Sequence, residues 1–75
     1  MDIVIGGIYK HFKGNVYQVI CIAKDSETLD ELVIYKDTNS DKIWARNMDM
    51  FLSKVDKEKY PEVIQEYRFE YIKKG

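Results

Sequence analysis

The sequence contains very little cysteine, proline or histidine. Each occurs once among the 75 residues, as Cys21, Pro61 and His11. A lone cysteine excludes an internal disulfide and any site built from several cysteines, and a single histidine leaves a structural zinc site short of ligands. Walker loops, dinucleotide fingerprints and nucleophile elbows are also missing. The sequence therefore predicts no metal site and no cofactor.

Long apolar runs are missing as well. The longest, residues 16–23, spans about eight positions and includes Gln18, whereas a helix that crosses a bilayer needs about 20 apolar residues. The first residues, Met-Asp-Ile-Val-Ile-Gly-Gly, contain no basic segment and no adequate apolar segment, so no secretory signal is predicted. We expect a cytoplasmic protein that does not bind membranes.

Neither sign of charge is in large excess. Twelve Lys and Arg against thirteen Asp and Glu give a net charge of −1, so the chain as a whole is not attracted to nucleic acid. Hydrophobic residues make up 45% and charged residues 33%, the balance of a globular protein. We expect one small folded domain over residues 1–75, with nucleic-acid binding disfavoured.

What the sequence does contain is a series of short apolar and aromatic segments separated by turn-forming residues. Strands are predicted over residues 5–12, 16–23, 32–36 and 42–47, with a closing strand over 67–72. The strand over 16–23 is either buried on both faces or interrupted by a bulge. Lys13-Gly14-Asn15 and the polar run 37–41 predict hairpin loops. This pattern favours a mostly β domain: a small, strongly bent antiparallel sheet or an SH3-like barrel. An open sheet under one C-terminal helix is the alternative.

Two short helical turns are predicted near the C-terminal end. Pro61 suits the first position of a turn over 61–65, and irregularly spaced apolar residues over 48–55 favour another turn that plugs one end of the sheet. Five residues are expected to be mostly buried in the core: Val19, Cys21, Ile34, Ile43 and Phe51. Because Cys21 lies in the most apolar segment, we expect its thiol to be unreactive.

Several short motifs point to a known family. They are Tyr9-Lys10-His11-Phe12-Lys13-Gly14, Ser26-Glu27-Thr28, Trp44-Ala45-Arg46 and Arg68-Phe69-Glu70. In combination, and over nearly the whole chain, they resemble the bacterial domain of unknown function 1653 family. The resemblance implies a compact β-rich domain, often encoded as a stand-alone protein, with no established activity. The chain departs from the family at Asn47, where proline usually follows the Trp-x-Arg motif.

Five polar residues of these motifs form the candidate site. They are His11, Lys13, Glu27, Thr28 and Arg46, interleaved with the aromatic residues Tyr17, Tyr35 and Trp44. Arg46 and Trp44 share a strand face, where a planar guanidinium and an indole suit a flat, anionic ligand. Lys13, at a hairpin tip, would add a contact to phosphate. In the alternative, Arg46 pairs with Glu27 or another carboxylate and Trp44 packs in the core.

The function predicted from these residues is a non-enzymatic binding module for a small anionic, nucleotide-like ligand, either a bacterial sensor subunit or a sequestering protein of phage origin. The alternative is an adaptor or inhibitor that docks on a larger protein partner. A small hydrolase or a nucleic-acid binder is a third reading, disfavoured by the single histidine and the near-neutral charge. A homodimer is open as well, because so short a chain gains from self-association.

Overall fold

The computed structural model describes residues 2–75 and contains one five-stranded sheet with one helical turn. The elements, in chain order, are β1 Gly7–His11, β2 Val16–Lys24, β3 Glu31–Asp37, β4 Ile43–Asn47, α1 Met48–Phe51 and β5 Phe69–Lys74. The sheet order is β4-β3-β2-β1-β5, and all neighbouring pairs are antiparallel. Across residues 2–75 no pairing joins β4 to β5, so the sheet is not closed into a barrel.

The sheet is nevertheless bent far enough to bring its two edges together. Arg46 at the end of β4 lies over the ring of Phe69 at the start of β5, with 5.6 Å from its Cζ to the ring centre. The predicted fold class, a mostly β domain with a strongly bent antiparallel sheet and a short helical turn, is confirmed. The alternative with one C-terminal helix is wrong, since residues 52–75 contain none.

The first hairpin follows the turn predicted from Lys13-Gly14-Asn15. The backbone N–H of His11 donates to the carbonyl of Asn15 at 2.8 Å, and Gly14 adopts a φ of 107°. That conformation is open to glycine and strained for residues with a side chain. The turn places Lys13 at the tip that joins β1 to β2.

The concave face of the sheet carries the core. Buried side chains from four strands and α1 form one cluster: Tyr9, Val19, Val33, Tyr35, Phe51 and Phe69. Phe51 stacks on Phe69 with ring centres 4.0 Å apart, and its edge contacts with Tyr9 and Tyr35 are both at 5.5 Å. The short α1 therefore covers the sheet with a single large aromatic residue.

Three of the five core predictions need correction. Val19 and Phe51 are buried as predicted, but Cys21 is exposed, Ile43 is 62% exposed and Ile34 is only half-buried. The register of β2 against β3 shifts between Val19 and Cys21. This irregularity turns Cys21 to the outer face, opposite Ile34, because side chains paired across strands share a face. Ile43 lies on the same outer face, which no other layer covers.

The segment between α1 and β5 differs from prediction. Residues 61–62 form a turn, closed by the N–H of Val63 donating to the carbonyl of Tyr60 at 3.2 Å, and residues 63–65 have no regular structure, so the helical turn predicted over 61–65 is wrong. The predicted closing strand begins two residues late, at Phe69, because Tyr67 forms an isolated bridge with Lys54 instead. No helix within residues 2–75 is long and apolar enough to cross a membrane.

The start of α1 accommodates the departure from the family motif. Asn47 has a φ of −52°, close to the value at which proline is fixed, so the backbone here suits either residue. Its side chain accepts the backbone N–H of Asp49 at 2.9 Å. Asn47 thus keeps the geometry of the strand end and adds a helix cap.

Candidate ligand-binding site

One end of the concave face is left open as a concavity of about 460 Å³. Sites for small molecules usually have volumes of roughly 300–1,000 Å³. The lining residues come from β1 and its turn, from β2 to β5, and from residues 56–60: His11, Phe12, Lys13, Asn15, Tyr17, Tyr35, Trp44, Arg46, Asp56, Lys59, Tyr60, Arg68 and Phe69. We call this feature the concavity throughout.

Strand alternation places two residues of β4, Trp44 and Arg46, at the concavity. Trp44 pairs with Tyr35 across the β3–β4 ladder, and Arg46 pairs with Val33, so both side chains share the concave face with the core. Tyr35 is almost fully buried, whereas Trp44 remains 47% exposed. The indole therefore extends beyond the core and offers a free surface to a ligand.

Arg46 is held in place by neutral groups. Its Nε donates to the hydroxyl of Tyr35 at 3.2 Å while the guanidinium lies over Phe69. The ion pairs found among residues 2–75 join Lys36 to Asp41 and Lys54 to Glu66, and neither includes Arg46. The alternative in which Arg46 pairs with Glu27 and Trp44 packs in the core is therefore wrong.

Two lysines converge on Tyr60 at the opposite side of the concavity. Their Nζ atoms lie 5.6 Å (Lys13) and 5.5 Å (Lys59) from the centre of the Tyr60 ring. Desolvation acts to raise the pKa of the Tyr60 phenol, but the positive charges of both lysines outweigh it and hold that pKa below its usual value. The Tyr60 ring itself packs against Phe12 with 4.9 Å between ring centres.

His11 lines the concavity, and its surroundings lower its pKa. Burial, followed by the charges of Arg46, Arg68 and Lys13, lowers the pKa of His11 from 6.5 to about 4. Its Nδ1 accepts the backbone N–H of Lys13 at 3.1 Å, as a neutral imidazole can. His11 is therefore uncharged at pH 7, chiefly because it is partly buried and in addition because three cationic side chains lie near it.

Several lining residues were missed by sequence reasoning. Lys59 and Asp56 lie in a run of mixed charge that contains no recognisable motif, and Arg68 belongs to a family motif but was not assigned to the site. In the structure the Nε of Arg68 donates to Oγ of Ser53 at 3.1 Å. Pairing of His11 with Phe69 between β1 and β5 brings Arg68 to the first hairpin, which no local pattern shows.

Two predicted site residues lie elsewhere. Glu27 and Thr28 are in the turn between β2 and β3, where their backbone N–H groups donate to Oδ1 of Asp25 at 2.9 and 3.1 Å. Tyr17 and Lys24, near the two ends of β2, are about 23 Å apart, for seven residues of extended strand at about 3.3 Å each, and Glu27 and Thr28 follow Lys24 in the chain. The structure places their side chains outside the concavity, and their visible role is in the turn.

The fold and the concavity define a class: a small, open β domain with a cationic, aromatic-lined depression at one end of its core. The chain belongs to the family described as protein of unknown function (DUF1653), whose model matches residues 7–71. The resemblance inferred from the motifs is thereby confirmed. No curated protein and no solved structure shows significant similarity to the chain.

Proposed function

We propose that the chain is a non-enzymatic binding module that holds a small anionic, nucleotide-like ligand in the concavity. One observation supports this most strongly. Four cationic side chains, those of Lys13, Arg46, Lys59 and Arg68, line the same space, while among residues 2–75 the lining includes one carboxylate, that of Asp56. The chain as a whole has a net charge of −1, so the lining is more positive than the rest of the chain.

Such a concentration is unfavourable in the empty protein. Like charges repel, and the repulsion is screened less at a partly enclosed site than on an open surface. The carboxylate of Asp56, whose Oδ1 accepts the backbone N–H groups of Glu58 and Lys59 at 3.0 and 3.3 Å, offsets only one of the four positive charges. A bound anion would supply the missing negative charge.

The aromatic side chains favour a ligand that also carries a flat ring. Trp44 is 47% exposed although it points to the core face, and the neighbouring guanidinium of Arg46 is fixed by Tyr35. Stacking on an aromatic side chain contributes about 1–3 kcal/mol per base in nucleic-acid complexes. A nucleotide-like molecule combines the ring with the negative charge.

The chemistry of the lining disfavours catalysis. Efficient general acid–base catalysis uses a group whose pKa lies near the working pH, whereas the pKa of His11 is about 4 and its Nδ1 is already bonded to the backbone. Binding without reaction is therefore the function that we propose.

The test is a thermal-shift screen of the purified protein against nucleotides, cyclic nucleotides and sugar phosphates. A ligand that binds only the folded state must raise the melting temperature. The dissociation constant of each hit is then measured by calorimetry for the wild type, for Arg46→Lys and for Lys24→Ala, which removes a charge from the far end of β2. A panel without any stabilising compound would contradict the proposal.

We expect Arg46→Lys to weaken binding about 10-fold or more and Lys24→Ala to change it less than about 2-fold. Lysine keeps the positive charge but loses the planar, bidentate geometry of the guanidinium. Both substitutions should leave the melting temperature of the free protein close to that of the wild type. Equal affinities for wild type and Arg46→Lys would remove Arg46 from the site.

An adaptor that docks on a larger protein is the second candidate. The observation in its favour is the edge strand β4, whose residue Ile43 is 62% exposed on the outer face. Unpaired strand edges accept an extended segment from a partner. A partner that copurifies with the wild type and is lost with Ile43→Lys, while nucleotide affinity is unchanged, would support this function.

A further inference from the structure

The cations of the concavity differ in how they are held, which bears on the orientation of a ligand. Lys13 and Lys59 form one group around Tyr60, and Arg46 with Trp44 forms another on β4. We call them the lysine pole and the arginine pole. The inference below rests on the proposed function and adds to it the direction in which the ligand lies.

The lysine pole consists of two compact point charges without an anionic partner. Neither Lys13 nor Lys59 takes part in the ion pairs found among residues 2–75. Both ammonium groups lie within 6 Å of the centre of the Tyr60 ring, whose neutral phenol cannot balance two positive charges. An ammonium group offers three donors in adaptable directions and pairs with phosphate as a point charge.

The lysine pole is also built into the fold. The turn that carries Lys59 is closed by the N–H of Tyr60, which donates to the carbonyl of Asp56 at 2.8 Å, and by the carboxylate of the same aspartate. Contact of the Tyr60 ring with Phe12 ties this turn to the hairpin tip that carries Lys13. Two segments far apart in sequence are thus fixed with their ammonium groups facing one place.

The arginine pole suits a flat ring. Trp44 and Arg46 are two residues apart on one strand face, a separation of about 6.7 Å at strand spacing. Carbon atoms in contact lie about 3.5 Å apart, so the backbone spacing of these two positions matches one flat ring in contact with a side chain on either side. The bond from Arg46 Nε to Tyr35 and the contact with Phe69 restrict rotation of the guanidinium.

We infer that the concavity binds a ligand with fixed polarity, its phosphate group between Lys13 and Lys59 and its planar ring against Trp44 and Arg46. A nucleoside monophosphate has this division into a ring and an anionic end.

The test uses three probes that separate the two ends of the ligand. The first probe is the nucleotide among AMP, GMP, CMP and UMP that binds most tightly. The second is its nucleoside, which lacks the phosphate, and the third is ribose 5-phosphate, which lacks the planar base. Dissociation constants are measured by NMR titration, which reaches the millimolar range, for wild type, Lys59→Met and Trp44→Leu. Lys24→Met is the matched control, because it removes the same charge outside the concavity.

We expect Lys59→Met to weaken binding of the nucleotide and of ribose 5-phosphate about 10-fold or more, which is the effect of losing a hydrogen bond to a charged group. Binding of the nucleoside should weaken less than about 2-fold. Trp44→Leu should weaken the nucleotide and the nucleoside about 5-fold or more and leave ribose 5-phosphate unchanged. Trp44→Phe, which keeps a ring, should recover part of the loss. Melting temperatures near that of the wild type would show that the variants fold.

The outcomes separate the two proposals. If both variants weaken all three probes equally, or if the pattern is reversed, the fixed polarity is wrong while binding in the concavity stands. If none of the three probes binds to the wild type while another compound of the thermal-shift panel does, the inference fails and the proposed function stands; if no compound of the panel binds, both fail.

Discussion

His11 is a neutral side chain in a positively charged setting, with Arg46, Arg68 and Lys13 around it. The same residue in an unfolded chain titrates near 6.5, whereas in the folded protein it titrates near 4. Single residues of this kind determine how the protein responds to pH, because the folded and unfolded states bind different numbers of protons.

We predict that the free energy of unfolding falls as the pH decreases from about 6.5 to about 4. In that range the unfolded state binds the proton of His11 and the folded state does not, so acid favours unfolding; above 6.5 neither state is protonated and the contribution is complete. Because the ring is only half-buried, solvent screening reduces the effect to on the order of 1–2 kcal/mol. Urea unfolding at pH 7.5 and 4.5 measures it.

The control is His11→Asn, whose side-chain oxygen can still accept the backbone N–H of Lys13. Its loss of stability between the two pH values should be smaller than that of the wild type. Equal losses in both proteins would show that the pKa of His11 is not depressed.

Cys21 gives the second prediction at this scale. Its thiol is exposed on the outer face, contrary to the expectation from its apolar neighbours Ile20 and Ile22. We therefore expect a thiol reagent to modify native Cys21 at a rate within a few-fold of the rate in denaturant. Modification that requires denaturant would instead indicate burial.

At the scale of elements, the core depends on one residue of the short α1. Phe51 is 1% exposed and contacts the rings of Tyr9, Tyr35 and Phe69. Met48 is partly buried against the same cluster, and Phe51 is the residue of α1 that is fully buried.

We predict that Phe51→Ala lowers the free energy of unfolding by about 3–5 kcal/mol, the usual cost of removing a buried aromatic ring. Met50 in the same helical turn is 48% exposed, and Met50→Ala should change the stability by no more than about 0.5 kcal/mol. Denaturant unfolding of both variants measures the difference. Similar values for the two would contradict the central place of Phe51 in the core.

Strands and hairpins were predictable because local chemistry determines them. Gly14 and the polar residues at 37–41 favour the turns that follow β1 and β3. Alternating side chains define the faces of β4. A bulge in residues 16–23 was one of two readings of that segment, but its position between Val19 and Cys21 was not predictable, since neither glycine nor proline marks it. Its effect was to reverse the outward and inward positions in the second half of β2.

The site could be predicted only where its residues share an element or a turn. Arg46, Trp44 and Tyr35 lie on paired strands, and their common face follows from alternation. Lys59 and Arg68 reach the concavity through pairing of β5 with β1 and through the turn at residues 56–60, which depend on tertiary packing.

At the scale of the whole molecule, charge and apolar surface are distributed unevenly. Positive side chains collect at the open end of the concave face, while the outer face exposes Ile43 and Cys21. The homodimer expected from the short chain stays a prediction. Sedimentation of the wild type and of Ile43→Lys would test it, since a dimer through this face should dissociate in the variant.

Binding in the concavity is tested most directly by mapping NMR chemical shifts as the most stabilising nucleotide is added to the wild-type protein. We expect the largest changes at the indole N–H of Trp44 and at the backbone amides of Lys13, Arg46 and Tyr60, with little change at Glu27 in the turn beyond the far end of β2. Saturation at the calorimetric dissociation constant should accompany them. Shifts confined to the turn that carries Glu27, or no shifts around Trp44 at saturation, would contradict the site.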